Sequence, residues 1–363
     1  MQHSAAIESV AAAAYRIPTE EAESDGTLTW DSTTIIVVTV DAAGAQGVGY
    51  TYGTAAIVDL ISGVLANHLR GHDAFAVIAR WSDMLAALRN IGRPGIGAMA
   101  VSAVDTALWD LKAKLVGLPL ATLLGQVRAV VPVYGSGGFT SYSRERLAGQ
   151  LAGWVEQGIG MVKMKVGREP KTDATRVADA RAAIGDRVQL FVDANGAYQR
   201  KQALTMAREF AALGVTWFEE PVSSDDLEGL RLMRDRSPPG IAVAAGEYGH
   251  DEVYFRRMLE AGAVDVLQAD VTRCGGITGF MHAAALCRAF EVPLSAHCAP
   301  ALHLHLGCAL PEVVHLEYFH DHVRIEELLF EGTPKPVRGA LTPNDRAGLG
   351  LTLKRADAER YRL

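Results

Sequence analysis

The chain has 363 residues, of which 49% are apolar and 21% are charged, and its formal net charge at pH 7 is −7. This composition is typical of a globular protein with a large core, in one large domain or in a barrel with a smaller partner. The negative charge argues against a nucleic-acid surface and a polybasic membrane anchor, and no apolar run reaches the roughly 20 residues that span a bilayer. Four cysteines without a CxxC pair favour free thiols in a cytoplasmic protein.

The first 125 residues indicate an α+β unit. Residues 33–41 are rich in β-branched side chains and predict a strand, and the turn and second strand over 44–53 complete an antiparallel hairpin. Residues 54–90 and 97–116 are predicted to be helical. In the second of these segments the apolar positions recur at helical spacing, and Gly117 ends the helix.

From Val131 onward, short apolar runs alternate with helical stretches. The predicted strands are 131–135, 161–166, 189–193, 215–219, 241–246, 264–269, 292–296 and 313–317. The helices predicted between them include 171–184, 200–213, 251–261 and 276–290. Eight such repeats favour an α/β protein with a closed (β/α)8 barrel over an open sheet. We therefore predict an α+β domain over 1–125, a barrel over 126–320 and an irregular segment over 321–363 that packs back on the first domain.

Asp193, Glu219 and Glu247 close three successive predicted strands, at intervals of 26 and 28 residues. In a closed ring of parallel strands, such carboxyl ends meet on one face. Three carboxylates there would repel one another unless a cation compensates them. Because the ligand atoms would all be oxygen, Mg²⁺ is favoured, with Mn²⁺ as a substitute, and Asn195 is placed to support the ion. The alternative is that these acids are salt-bridge partners at the barrel mouth.

Lys163 and Lys165 are two residues apart on one predicted strand, so both side chains leave the same face. If that face is the barrel interior, burial, the second ammonium group and the cation all lower the pKa of a lysine toward neutrality. Such a lysine can act as a general base. The alternative is a pair of solvated lysines at an exposed strand end.

Asp270 and His297 close the sixth and seventh predicted strands. A carboxylate next to an imidazole fixes its tautomer and raises its basicity, which suits a second proton-transfer group across the barrel from the lysines. Glu317 on the eighth strand can hydrogen-bond a substrate carboxylate if it is protonated, or else a hydroxyl group. The alternative for His297 is a core histidine without a catalytic role.

The resemblance to a known family rests on strand-end segments, namely KMK (163–165), DAN (193–195), EEP (219–221), GE (246–247), QADVTRCGG with Asp270, SAH (295–297) and HLE (315–317). Together with the GVG hairpin at 47–49, they resemble the mandelate racemase branch of the enolase superfamily over nearly the whole chain. The resemblance implies a TIM-type barrel with an α+β N-terminal capping domain. Loops near residues 16–30 and 47–54 are then expected to close over the site and select the substrate.

The same resemblance assigns roles to the candidate residues. It implies Lys165 and His297 as the acid/base groups, Lys163 as an electrostatic aid at the substrate carboxylate, and Glu317 as a hydrogen-bond donor there. It also implies a small carboxylate substrate and a homo-oligomer. In this superfamily a Lys or His base works with Mg²⁺, which stabilises the enediolate formed when an α-proton leaves.

Two reactions share that first half. Most proteins that resemble this branch are acid-sugar dehydratases, so we favour dehydration of an aldonate or aldarate to a 2-keto-3-deoxy acid. The polar, acidic segment Pro18–Thr29 also argues mildly against an aromatic substrate. The alternative is a racemase or epimerase of a 2-hydroxy acid. More distant alternatives are a zinc metallohydrolase, suggested by His303 and His305, and a non-catalytic relative.

Overall fold

An antiparallel sheet forms the N-terminal part of the computed structural model, which describes residues 4–363. Its strands are β1 (Ile7–Ser24), β2 (Thr29–Ala42) and β3 (Ala45–Tyr52), with β2 in the middle. The predicted hairpin is present as β2 and β3. The implied loops over 16–30 and 47–54 are wrong in part, because residues 16–24 and 47–52 lie in strands. β1 was missed because its run of alanines has low β-propensity, and pairing with β2 stabilises it instead.

Helices cover the rest of the N-terminal part. They are α1 (Ala56–Gly63), α2 (Val77–Ala87), α3 (Ile96–Leu115) and the short α4 (Leu120–Leu123), with a 3-10 turn over Leu65–His68. The uniformly helical segment predicted over 54–90 is therefore wrong, since turns near Gly71 interrupt it. α3 packs closely on β3. A Cβ at Gly47 or Gly49 would lie 2.1 or 2.2 Å from a carbonyl oxygen of α3, which explains the GVG sequence.

Eight parallel strands within the described residues form the second part. They are β4 (Val131–Gly137), β5 (Met161–Lys165), β6 (Gln189–Asp193), β7 (Val215–Glu219), β8 (Ala242–Ala245), β9 (Val266–Ala269), β10 (Leu294–Ala296) and β11 (Val313–Phe319). Each pairs with the next, and β11 pairs with β4, so the ring closes and the predicted barrel is confirmed. The helices between them are α5 (Arg144–Glu156), α6 (Pro170–Ile184), α7 (Arg200–Ala212), α8 (Leu227–Arg236), α9 (Glu252–Glu260), α10 (Gly276–Phe290) and α11 (Pro300–Ala309).

The C-terminal segment is more regular than predicted. It contains α12 (His320–Leu329), β12 (Phe330–Glu331), β13 (Ala340–Leu341), β14 (Thr352–Leu353), α13 (Arg355–Ala358) and a 3-10 turn over Glu359–Tyr361. It contacts both other parts, because β13 pairs with β4 and the Leu363 N–H donates to the Ala14 carbonyl at 3.0 Å. The domain boundaries at residues 125 and 320 stay a prediction. Within residues 4–363, no helix combines the length and the apolar character that crossing a bilayer requires.

Two side chains of α3 hold the N-terminus of α10. The Ser102 hydroxyl oxygen accepts the N–H groups of Gly275 and Gly276 at 2.9 and 3.0 Å, and an Asp105 carboxylate oxygen accepts the Thr278 N–H at 2.9 Å. These N–H groups have no acceptor within their own helix, so the cap of α10 is supplied by the N-terminal part of the fold. The contact fixes the loop between β9 and α10, which carries several candidate site residues.

Glu326 of α12 joins three parts of the fold. One of its carboxylate oxygens accepts the Tyr50 hydroxyl of β3 at 2.5 Å, and the other accepts the Ala301 N–H of α11 at 3.3 Å. The side chain is almost fully buried. Burial raises the pKa of Glu326 to about 8, in spite of both hydrogen bonds.

Glu326 should make the free energy of unfolding depend on pH. Between its ordinary pKa of 4.5 and its folded-state pKa of about 8, only the folded chain keeps the proton. Its stabilising contribution is therefore complete below pH 4.5 and is lost as the pH rises through about 8. We expect Glu326→Gln to reduce the difference in the free energy of unfolding between the two ends of this pH window by about 1 kcal/mol or more, measured by urea unfolding at each end. The partly exposed neighbour Glu327→Gln is the control, and equal slopes for Glu326→Gln and the parent chain would refute the prediction.

Candidate active site

An apolar layer closes the barrel interior beneath the site. Tyr134, Phe191 and Trp217 pack there, with ring centroids 5.4 Å apart for Tyr134 and Phe191 and 5.2 Å apart for the stacked pair Phe191 and Trp217. Because strand side chains alternate, the next inward positions after Phe191 and Trp217 are Asp193 and Glu219. The register of the strands places these two acids side by side. The polar groups therefore form the floor of a pocket at the C-terminal mouth rather than the wall of a channel.

The three predicted ligand acids meet at this floor. Asp193 ends β6, Glu219 ends β7, and Glu247 follows β8 by two residues. Each offers a carboxylate oxygen within 4.8 Å of the other two, and all three side chains are buried. Burial and the charge of Asp193 raise the pKa of Glu219 to about 7, although the Lys163 ammonium group lowers it. A divalent cation with a preference for oxygen ligands fits these residues.

Two nearby polar atoms add to this fit. The Asn195 N–H donates to an Asp193 carboxylate oxygen at 2.8 Å, while the side-chain oxygen of Asn195 is buried without a hydrogen-bond partner in the described chain. Within residues 4–363, Glu247 Oε2 also lacks a hydrogen bond, although His297 Nε2 lies 3.3 Å away. Unpaired buried oxygens at one point are costly, and a bound cation would satisfy them.

Both lysines of β5 point into the barrel, as predicted, and both are buried. Lys163 Nζ lies 2.7 Å from each carboxylate oxygen of Glu219 and 2.8 Å from Glu317 Oε1. Lys165 is ion-paired with Asp193. Burial alone would lower the lysine pKa values, but Glu219 and Glu317 raise the pKa of Lys163, and Asp193 raises that of Lys165. The expected shift toward neutrality is therefore wrong among the protein's own charges, because each lysine is paired with a predicted metal ligand.

His297 and Asp270 form the predicted pair. Asp270 follows β9, His297 follows β10, and His297 Nδ1 lies 2.9 Å from Asp270 Oδ2. The other oxygen of Asp270 accepts the N–H and the hydroxyl of Thr272, both at 2.7 Å. Asp270 is thus held in place and favours a proton on Nδ1, so that Nε2 faces the pocket. Burial alone would lower the pKa of His297, but the neighbouring Cys298, Glu247 and Glu317 raise it well above its usual value.

Glu317 of β11 joins the lysine side of the site to the histidine side. Its Oε1 accepts the Ser136 hydroxyl at 2.5 Å and is paired with Lys163, and its Oε2 accepts the Cys298 N–H at 3.1 Å. Burial would raise the pKa of Glu317, but Lys163 and His297 outweigh it and lower the pKa. The hydrogen-bond donor role implied by the resemblance needs a protonated carboxyl. Among the protein's own charges, Glu317 is instead an acceptor.

Sequence reasoning missed several members of the site. Arg273 Nη1 lies 3.2 Å from Glu247 Oε1, and Arg273 Nε lies 3.6 Å from Asp270 Oδ2, so this residue bridges two candidate acids. Glu220 is buried beside Glu219 in a left-handed backbone conformation, with φ of 38°. Both residues stand in quoted segments, EEP and QADVTRCGG, which was the available signal. No sequence signal pointed to Ser136, because it lies on β4, the first barrel strand, where there is no distinctive motif.

The histidines behind the metallohydrolase alternative do not reach the site. His303 and His305 lie within α11 and are buried. His303 Nε2 accepts the Val271 N–H at 2.9 Å and Nδ1 lies 2.8 Å from the Cys298 carbonyl, while His305 lies 3.1 Å from the Leu349 carbonyl. Both imidazole rings are therefore hydrogen-bonded to backbone groups. His303 in addition fixes the loops that follow Asp270 and His297.

A cavity of about 380 Å³ connects the site to the N-terminal sheet. Its wall includes Lys165, Asn195, Glu247, Arg273, His297 and Glu317 from the barrel, Asp25 from the turn between β1 and β2, and Trp30, Ser32, Thr33, Thr34 and Tyr52 from the sheet. The turn between β1 and β2 reaches the barrel mouth at Gly26. A Cβ there would lie 2.4 Å from the Ala194 carbonyl oxygen, so the turn presses directly on the loop after Asp193.

Fold and site together define a (β/α)8-barrel enzyme whose cavity is lined by carboxylates and proton-transfer groups. Residues 13–125 match the family described as mandelate racemase/muconate lactonizing enzyme, N-terminal domain, and residues 146–358 match the family described as enolase C-terminal domain-like. The chain therefore belongs to the mandelate racemase/muconate lactonizing enzyme branch of the enolase superfamily, as the resemblance predicted.

Similar proteins support the same assignment. A crystal structure of a mandelate racemase/muconate lactonizing enzyme-like protein from Rubrobacter xylanophilus is 56% identical, covers 99% of this chain and 100% of its own, and has a TM-score of 0.97. A 3,6-anhydro-alpha-L-galactonate cycloisomerase of Streptomyces coelicolor is 35% identical over 355 residues, 96% of this chain and 97% of its own. A crystal structure of L-talarate/galactarate dehydratase from Salmonella typhimurium with Mg and L-lyxarohydroxamate is 31% identical, covers 100% of this chain and 94% of its own, and has a TM-score of 0.92. A lyase or isomerase, the predicted enzyme class, is thereby confirmed.

Proposed function

We propose that this chain is a Mg²⁺-dependent dehydratase of a sugar acid, forming a 2-keto-3-deoxy acid. The observation that carries the proposal is the convergence of three buried carboxylates next to a cavity that is lined by one of them, Glu247, together with Lys165 and the Asp-paired His297. The similarity to a dehydratase and to a cycloisomerase of sugar acids supports the substrate class.

Asp193, Glu219 and Glu247 are the proposed ligands. Mg²⁺ held by them would neutralise the substrate carboxylate, stabilise the charge of the enediolate, and offset the carboxylate field that keeps the lysine pKa values high. Lys163 and Glu317 lie at the same floor and are placed to orient the substrate carboxylate.

Lys165 and His297 are the proposed proton-transfer groups. In our scheme Lys165 takes the α-proton, which leaves an enediolate. His297 then protonates the departing β-hydroxyl, the C–O bond breaks, and water leaves. The resulting enol takes up a proton to become the 2-keto acid. Asp270 keeps Nε2 of His297 aimed at the cavity throughout.

The decisive experiment is an assay of the purified protein with Mg²⁺ on a panel of aldonates and aldarates. Formation of a 2-keto-3-deoxy acid from at least one of them, detected as its semicarbazone, supports the proposal. Exchange of the α-hydrogen with deuterated solvent across the panel, without a keto product, would contradict dehydration.

An isomerase is the second candidate. The cavity presents both Lys165 and His297, and a proton removed by one and returned by the other changes configuration at the α-carbon. The similarity to a cycloisomerase, which also belongs to the isomerase class, favours keeping this candidate. Deuterium incorporation with an inverted or cyclised product of unchanged mass, apart from the label, would identify it.

The charges of the cavity support a substrate with one carboxylate. Asp25 lines the cavity from the turn between β1 and β2, and burial lowers the pKa of His322 to about 4, so this ring is uncharged at neutral pH. The lining cations Arg273 and Lys165 are already paired with Glu247 and Asp193. A second carboxylate on the substrate would lie near Asp25 with no unpaired cation to offset the repulsion, whereas substrate hydroxyl groups can hydrogen-bond to the same wall.

We therefore expect kcat/KM for an aldonate to exceed that for the aldarate of the same configuration by roughly tenfold or more, equivalent to about 1.4 kcal/mol. Asp25→Asn should bring this ratio of kcat/KM values closer to one. The Asn oxygen can keep the bonds that Asp25 accepts from the N–H groups of Thr27 and Leu28, at 2.6 and 2.7 Å. The exposed acid Asp31→Asn is the control. A ratio that favours aldarates, or that Asp25→Asn leaves unchanged, would contradict the assignment of a monocarboxylate.

A further inference from the structure

A second set of metal-ligand atoms lies beside the three carboxylates. His297 Nε2, Cys298 Sγ and Glu317 Oε2 converge on the same cavity. The sulfur lies 3.3 Å from Nε2 and 3.4 Å from Oε2, and the nitrogen and oxygen are 3.7 Å apart. Ligand atoms of a tetrahedral zinc site, with bonds of 2.0–2.3 Å, are about 3.3–3.8 Å apart. The three donors thus already match one face of a zinc tetrahedron.

The surroundings of this triad are those of a metal site. Metal-binding histidines usually donate the other ring N–H to a carboxylate, and Nδ1 of His297 lies 2.9 Å from Asp270. Glu317 is fixed through its other oxygen by Ser136 and Lys163. Its Oε2 accepts the N–H of Cys298, and its second lone pair, which accepts the Cys298 thiol at 3.4 Å, becomes free for a metal when that thiol loses its proton. All three ligand side chains are buried, so little ordering is needed when a cation arrives.

The chemistry of the donors separates the two sets. Nitrogen, sulfur and oxygen together suit a borderline-soft ion such as Zn²⁺, whereas Mg²⁺ takes oxygen ligands and would stay with Asp193, Glu219 and Glu247. Binding breaks the S–H bond of Cys298 and removes the proton that the raised pKa of His297 keeps on Nε2, so that a Zn–S and a Zn–N bond form and two protons are released to solvent. Nε2 of His297 and a lone pair of Glu317 complete the protein ligands, which leaves a position open toward the cavity.

We propose that His297, Cys298 and Glu317 form an inhibitory zinc site that competes with substrate. Inhibition rests on the proposed function, because zinc would occupy the nitrogen that moves the proton and a carboxylate that faces the substrate. Binding of zinc does not rest on it and is measured without turnover.

The test uses the full chain with saturating Mg²⁺, which fills the carboxylate set, and follows Zn²⁺ binding by competition with a chromophoric chelator. We expect one Zn²⁺ per chain and, in Cys298→Ser, an affinity lower by about 100-fold or more. Cys287→Ser is the matched control. This cysteine is also buried, lies within α10, and as serine can bond the backbone of its own helix, so zinc affinity should not change.

A spectroscopic readout keeps the inference testable if Cys298→Ser does not fold. Co²⁺ in place of Zn²⁺ should give a thiolate-to-metal charge-transfer band in the parent chain and in Cys287→Ser. The assignment of the triad as zinc ligands would be overturned if Cys298→Ser bound zinc as tightly as the parent chain, or if Co²⁺ bound without the charge-transfer band. It would also be overturned if Glu219→Gln lost zinc binding while Cys298→Ser kept it. If zinc binds as expected and no sugar acid turns over, the proposed function fails and the zinc site stands.

Discussion

Replacing either proton-transfer group should abolish most of the turnover while leaving the fold intact. General acid–base catalysis contributes about 100-fold to 10,000-fold, so we expect Lys165→Met and His297→Asn each to lower kcat by a factor in that range. Neither change removes a member of the proposed metal set, and Asn at 297 can still hydrogen-bond to Asp270. Magnesium affinity, measured by calorimetry, should therefore fall much less than kcat.

The two variants should differ in a partial reaction. If Lys165 removes the α-proton and His297 acts later, His297→Asn should still exchange the α-hydrogen with deuterated solvent, and Lys165→Met should not. Exposed residues of the same types supply the controls, Lys171→Met and His72→Asn, both of which should keep the parent rate. Full activity in His297→Asn would remove the Asp–His pair from the mechanism. Exchange in Lys165→Met but not in His297→Asn would reverse the two roles.

The barrel could be predicted because its signals are local and repeated. Strands buried on both sides appear as continuous apolar runs, and the helices between them reveal their spacing, so β6 and β7 were predicted with the bounds that the structure has. The acids at strand ends then follow from geometry alone, since parallel strands deliver their carboxyl ends to one face. This is why Asp193, Glu219 and Glu247 could be grouped before any coordinates were known.

The features that could not be predicted depend on contacts between segments that are distant in the sequence. β1 has little intrinsic preference for a strand and owes its conformation to pairing with β2, and the end of the β1–β2 hairpin reaches the barrel through Gly26. Among the protein's own charges the lysine pKa values lie above their usual range rather than below it, because spacing along β5 does not reveal that each ammonium group has its own carboxylate. Cys298 entered the sequence argument as a free thiol, and its place between His297 and Glu317 follows from three-dimensional packing.

Glu219→Gln should separate metal binding from folding. The side chain is buried at the centre of the carboxylate set, and its amide would keep a similar size while removing one negative charge. We expect Mg²⁺ affinity to fall by about 100-fold, equivalent to about 2.7 kcal/mol, and activity to fall with it. In the parent chain, Mg²⁺ at 100 times its Kd should raise the free energy of unfolding by about 2.7 kcal/mol, and in the variant this gain should almost vanish.

Stability without Mg²⁺ is the sharper part of this experiment. Burial and the Asp193 charge make ionised Glu219 costly in the folded chain, as its raised pKa of about 7 shows. Lys163 keeps a second partner in Glu317, at 2.8 Å, so the lysine is not left unpaired by the substitution. The Mg²⁺-free variant should consequently unfold at nearly the same urea concentration as the parent chain, with the exposed acid Glu228→Gln as the control. If Glu219→Gln keeps the stabilisation that Mg²⁺ gives the parent chain, Glu219 is not a ligand. If the variant is much less stable than the parent chain without Mg²⁺, the contacts of Glu219 with Lys163 and Trp217 mainly stabilise the fold.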